Sequence, residues 1–98
     1  MDKYVIVRTY AMGCFAGTLI ESESTETKKV LTGARRLWQW AGAASLSQLA
    51  TTGTSNPSGC KFPCETVKEE LTSPQGFEVI DVTEEARKSI ALVPVWVS

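Results

Sequence analysis

Two arginines and two tryptophans fall within six residues of this chain, in the run Ala34-Arg35-Arg36-Leu37-Trp38-Gln39-Trp40. An indole offers a flat face on which a base or another ring can stack. A guanidinium forks onto a carboxylate or phosphate with two parallel hydrogen bonds. The same residue types dominate the energetic centres of protein interfaces. Written as a strand, the run puts Arg36, Trp38 and Trp40 on one face and Arg35, Leu37 and Gln39 on the other. Written as a helix, it groups Ala34, Leu37, Trp38 and Ala41 and leaves Trp40 off the apolar face. The strand keeps the two indoles together and is the preferred reading; the competing use of such large side chains is simple core packing. Arg8 and Tyr10 join the same surface if their strand lies alongside. The candidate ligand- or partner-binding set is therefore Arg8, Tyr10, Arg35, Arg36, Trp38 and Trp40.

Other chemistry is poorly supplied. The chain has no histidine, which removes the commonest general base, the usual partner of a Ser or Cys nucleophile and the commonest zinc ligand. Cys60-Lys61-Phe62-Pro63-Cys64 has three residues between its thiols, and the third cysteine, Cys14, sits in an apolar run far away in sequence. Zinc pairs and thioredoxin-type redox pairs use a two-residue spacing, so two packed thiols are the better reading. Glu69-Glu70 and Glu84-Glu85 are sequence neighbours, suited to solvated surface and to a helix start rather than to a paired acid and base. No glycine-rich phosphate loop occurs. The expectation is a protein without catalytic residues, metal or cofactor, hence not an enzyme.

Ninety-eight residues, 43% hydrophobic and 21% charged, make one small globular domain. The net charge of −1 provides no excess of cations for bulk nucleic-acid binding. No apolar run reaches the ~18 residues that span a bilayer. Residues 1–8 read as the start of a strand, where a signal peptide would need a basic region and an apolar core. Three cysteines, an odd number, suit reduced thiols in a cytoplasm.

The elements that must position these residues can be read in outline. Lys3–Thr9 is a nearly continuous β-forming run, fit for a central strand. A turn at Ala11-Met12-Gly13 leads to a second strand over residues 14–21, where Gly17 marks a bulge or close backbone approach. Residues 22–27 form a polar loop, and residues 28–31 a short third strand that Gly33 breaks. Ser45 and Gln48 form a capping box for a helix over residues 45–52, stopped by Gly53. Residues 54–59 are loop, and residues 65–71 carry Lys68, Glu69 and Glu70, as an edge strand would. Ser73-Pro74-Gln75-Gly76 turns into a strand over residues 77–82. Thr83 then caps a helix to about Leu92, burying Ala86, Ile90 and Val93 until Pro94 ends it. The predicted fold is α+β: a small, strongly curved antiparallel sheet of five or six short strands with two short helices. An open sheet edge of this kind makes a homo-oligomer plausible.

Several segments together resemble a family. They are Val5-Ile6-Val7-Arg8-Thr9-Tyr10, Gly17-Thr18-Leu19, Leu31-Thr32, Ala34-Arg35-Arg36-Leu37-Trp38, Trp40, Gly42-Ala43 and Ser45-Leu46-Ser47-Gln48-Leu49-Ala50. Cys60-Lys61-Phe62-Pro63, Phe77-Glu78-Val79-Ile80 and Val93-Pro94-Val95-Trp96 extend the match over nearly the whole chain. They resemble a small family of phage and prophage proteins defined only as an uncharacterised domain. The chain departs from it at residues 22–27, which lack the glycine of the family's shorter turn. The resemblance implies a viral or prophage origin and action in the cytoplasm of a bacterial host, and brings no activity with it. Two functions follow as expectations: binding and inhibition of a host defence or regulatory protein, or sequestration of a nucleotide-type immune signal. A minor virion or assembly component is the weaker third.

Overall fold

The computed structural model describes residues 2–97. Its order is β1 (Lys3–Thr9), β2 (Gly13–Leu19), β3 (Lys28–Arg36), α1 (Leu46–Thr52), β4 (Thr66–Thr72), β5 (Phe77–Asp81) and α2 (Glu84–Leu92). The five strands form one antiparallel sheet in the order β4-β3-β2-β1-β5. The α+β class and the curved sheet are as the sequence predicts.

The curvature has a simple cause. β4 and β5 lie at opposite edges of the sheet yet are consecutive in the chain, joined by a turn in which the Gly76 amide donates to the Ser73 carbonyl. Laid flat, those edges would stand ~19 Å apart at the usual strand spacing. Thr72 and Phe77 can be separated by at most ~17 Å of fully extended chain, and a tight turn reaches far less. The sheet must therefore curl. Its concave side buries Val5, Val7, Phe15, Leu19, Leu31, Ala34 and Leu71, closed by Phe77. The convex side packs Ile6, Ala16 and Leu37 against Leu46, Leu49, Ala50, Phe62, Ile90 and Val93, under the two helices. β1 supplies Ile6 to one core and Val5 and Val7 to the other, all fully buried, which explains its unbroken apolar run.

Gly33 does not end the third strand; it bulges it. Thr18 pairs with Thr32 and Ala16 with Arg35, so Gly17 alone opposes Gly33 and Ala34. Gly33 has φ +56°, the left-handed conformation that a bulge of this kind takes and that glycine adopts at little cost. The inserted residue resets the alternation. Leu31, Ala34 and Arg36 share the concave side, while Arg35 and Leu37 turn toward the helices. Gly17 faces the bulge so closely that a Cβ there would lie 3.0 Å from the Ala34 Cα. Gly17→Ala is expected to destabilise the domain by about 1–3 kcal/mol through overpacking against backbone. Urea denaturation would measure this, and an unchanged midpoint would mean that the sheet yields there.

Both helix caps form. The Ser45 hydroxyl accepts from the Gln48 amide, and that of Thr83 accepts from the Ala86 amide. The reciprocal bond from Gln48 differs from the expected box: its Oε1 accepts from the amide of Ala44, not Ser45. The polar segment after β2 is held in a 3-10 turn at Glu21–Glu23, with Ser24 Oγ donating to the Ile20 carbonyl and accepting from the Val30 amide.

Candidate binding groove

The double-tryptophan run is a strand only as far as Arg36, and not a helix anywhere. Beyond it the chain stays extended, with Gln39 bridging Lys61 and the Trp38 amide donating to the Lys61 carbonyl. This leaves Trp38 63% exposed while Trp40 is half-buried against the helix-side core. Both indoles line a groove of about 450 Å³ with Tyr10, Met12, Cys14 and Arg36.

The β1–β2 turn forms the opposite wall. Thr9 Oγ1 donates to the Gly13 carbonyl and accepts from the Met12 amide, and Gly13 takes φ +87° to close the turn. That geometry throws Tyr10 outward, 87% exposed. Arg36 reaches across from β3, its guanidinium 4.4 Å from the centre of the Phe15 ring and donating at 2.7 Å to the Met12 carbonyl. A cation held by a ring and a carbonyl is fixed in place without being neutralised. Among the described residues no carboxylate pairs with it.

Arg8 lies beside the groove, in a recess shared with Trp40, and pairs with Glu78 at 2.8 Å. Both side chains of this pair are about half exposed, so it orients Arg8 more than it stabilises the fold. Five of the six residues singled out in the sequence thus share one continuous surface. Met12 belongs to it as well; the sequence places it in the turn but does not show that the turn leans over the indoles.

Arg35 stands apart. It is 4% exposed and points under the helices, where its Nε donates to the Pro63 carbonyl, one Nη to Ile90 and the other to Phe62 and Pro94. Burial lowers its pKa from the ordinary value. Its work is internal: it ties the end of α2 and the C-terminal segment to the strand-like stretch at Phe62-Pro63. The thiols differ from the packed pair expected of them, with Cys60 buried and Cys64 exposed. Burial also raises the pKa of Cys14 in the groove, which disfavours a reactive thiolate there. Among the described residues no cluster of three or more His, Cys, Asp or Glu side chains is placed to hold a metal ion, and no helix is long and apolar enough to cross a membrane.

Residues 2–90, which include every residue of this groove, match the family described as "Domain of unknown function (DUF6948)". The chain belongs to that family. No curated protein and no solved structure matches it. For this DUF6948 domain the chemistry must accordingly be read from the groove: ring faces for stacking, a thioether and indoles for apolar contact, and one fixed cation.

Proposed function

We propose that this protein is a non-enzymatic phage accessory factor that acts in the host bacterial cytoplasm by binding and inhibiting a host defence or regulatory protein through the aromatic groove. The observation that carries the reading is the exposure of Trp38 and Tyr10 on either side of a fixed, unpaired guanidinium. Aromatic residues, methionine and arginine are the types enriched where protein interfaces concentrate their energy. Exposed side by side, they form a patch that a soluble domain gains nothing from showing to water. The partner's matching surface would present a carboxylate to Arg36 and an apolar or aromatic side chain to the indoles. Phage origin and cytoplasmic action rest on the sequence resemblance. Affinity capture from bacterial lysate tests the reading. One host protein should be recovered at stoichiometric level by the native chain and lost with Trp38→Ser; failure to recover any such protein counts against it.

A second reading has its own support. A groove of about 450 Å³ walled by flat rings and an arginine also suits a nucleotide, its base stacked on an indole and its phosphate on Arg36. Calorimetry with cyclic and ADP-ribose-type nucleotides separates the two, since a protein-binding surface gives no heat with them. Self-association belongs to the proposal too, through the β4 edge, where Val67 is 91% exposed. A monomer by light scattering would remove it.

A further inference from the structure

A second recess, on the helix side, has no part in the aromatic groove. It lies between α2 and the first three strands, encloses about 340 Å³, and is lined by Tyr4, Thr18, Thr32, Arg35, Glu65, Arg87 and Lys88. Tyr4 and Tyr10 sit near opposite ends of β1 and beyond, so the two sites are separated by roughly 20 Å of strand.

Its floor is a row of hydroxyls. Tyr4 pairs with Thr18 across β1 and β2, and Thr18 with Thr32 across β2 and β3, so the three side chains stand abreast on one face. None of these hydroxyls has a hydrogen-bond partner among the described residues. Burial raises the pKa of Tyr4, which keeps it a neutral donor. The three residues are only partly buried, and no buried side-chain polar atom among the described residues lacks a partner, so the row stays open to water and offers its hydroxyls to a ligand.

Its walls are positive. Arg87 projects from α2 over the Tyr4 ring at 5.5 Å and touches Glu84 at 3.4 Å. Lys88, next to it, has no partner among the described residues. Arg35 closes the back, with four of its five N–H donors on carbonyl oxygens and no carboxylate in ion-pair contact. Three cations and one carboxylate, Glu65, line the recess; with Arg87 also touching Glu84 outside it, the lining keeps a net positive charge. Glu65 lies at the Gly33 end, its Oε1 2.9 Å from where a Cβ of Gly33 would stand. It would repel an anion there and accept from a hydroxyl of the ligand.

We propose that this cavity binds a small hydroxylated phosphate monoester, its phosphate against Arg87 and Lys88 with the Arg35 charge behind them, and its hydroxyl-bearing body along Tyr4, Thr18 and Thr32 toward Glu65. The positive excess of the lining favours an anion over a neutral ligand. Size argues for the organic body: the cavity is near the ~300 Å³ lower end of small-molecule pockets, and a bare oxyanion would leave the hydroxyl row unused.

Titration of the full-length protein with ribose 5-phosphate tests this by calorimetry and by amide chemical shifts. The expected result is saturable binding with shifts at Thr18, Thr32 and Gly33. Loss of one charge-assisted contact in Lys88→Ala or Arg87→Ala should weaken it about ten- to a hundredfold. Both side chains are exposed, so these variants keep the fold, and Trp38→Ser should bind like the native chain. Thr32→Val should weaken ribose 5-phosphate while leaving inorganic phosphate unaffected. A Kd weaker than about 1 mM, binding indifferent to both cation variants, or inorganic phosphate binding as tightly as the ester would each overturn the assignment.

Discussion

Arg35→Met is expected to lower the stability of this domain by about 2–4 kcal/mol, a large fraction of the ~5–15 kcal/mol that a chain of this length possesses. Methionine keeps the packing of the stem and relieves the burial of a cation. It cannot replace the donors. The carbonyls of Ile90 and Phe62 accept at 2.8 Å in buried bonds, and each would be left unsatisfied at about 1–3 kcal/mol. Those of Pro63 and Pro94 are only partly buried, so water replaces the lost donors there. For a domain of this size 1 kcal/mol corresponds to about 4–8 °C in melting temperature, and the variant should melt roughly 10–30 °C lower. Arg35→Lys should recover less than half of the loss, because one ammonium cannot span carbonyls on three separate segments. Tryptophan-monitored urea denaturation decides it. A methionine variant within about 0.5 kcal/mol of the native chain would mean that these four bonds do not hold the C-terminal segment in place.

The largest expected loss of function comes from Trp38→Ser. Truncating a central interface tryptophan costs about 2–4 kcal/mol, or roughly 30- to 1000-fold in affinity. With Trp38 63% exposed, the fold should lose no more than about 1 kcal/mol. Trp40→Ser would confuse the two effects, since Trp40 also packs against the helix-side core. The measurement is the affinity for the captured host protein, or for a nucleotide if calorimetry finds one, beside a denaturation curve of the same variant. Unchanged affinity would show that the aromatic groove is not the working surface.

The periodic parts of the chain were legible in the sequence for physical reasons. The β-branched run at Val5-Ile6-Val7 has no solvent face because two cores share it. Ser45 and Thr83 mark helix starts because a hydroxyl there satisfies an amide that the helix leaves free. Strand alternation placed Arg36 with the tryptophans on one face, but the strand ends at Arg36 and Trp40 packs toward the helix-side core, so they meet as walls of a groove instead. What alternation could not show was the bulge. A glycine in a strand reads equally well as a stop or as an inserted residue, and only pairing with Gly17 distinguishes them. Whether Arg35 lay outside or inside depended on that distinction. The hydroxyl row was invisible for a different reason: Tyr4, Thr18 and Thr32 meet only through the order of the strands, which no local pattern encodes.

Joining opposite sheet edges through one short turn also sets a schedule for synthesis. β1 is made first, but the strand that covers its outer edge is β5, with Thr9 waiting for Phe77 and Val5 for Asp81. At ~5–20 residues per second, the roughly 70 residues between them take about 4–14 s to emerge from the ribosome. Throughout that interval the most hydrophobic strand in the protein has a bare flank in a crowded cell. Nascent chains of this protein should therefore depend on ribosome-associated chaperones far more than its small size suggests, and slowing translation late in the message should lower the soluble yield.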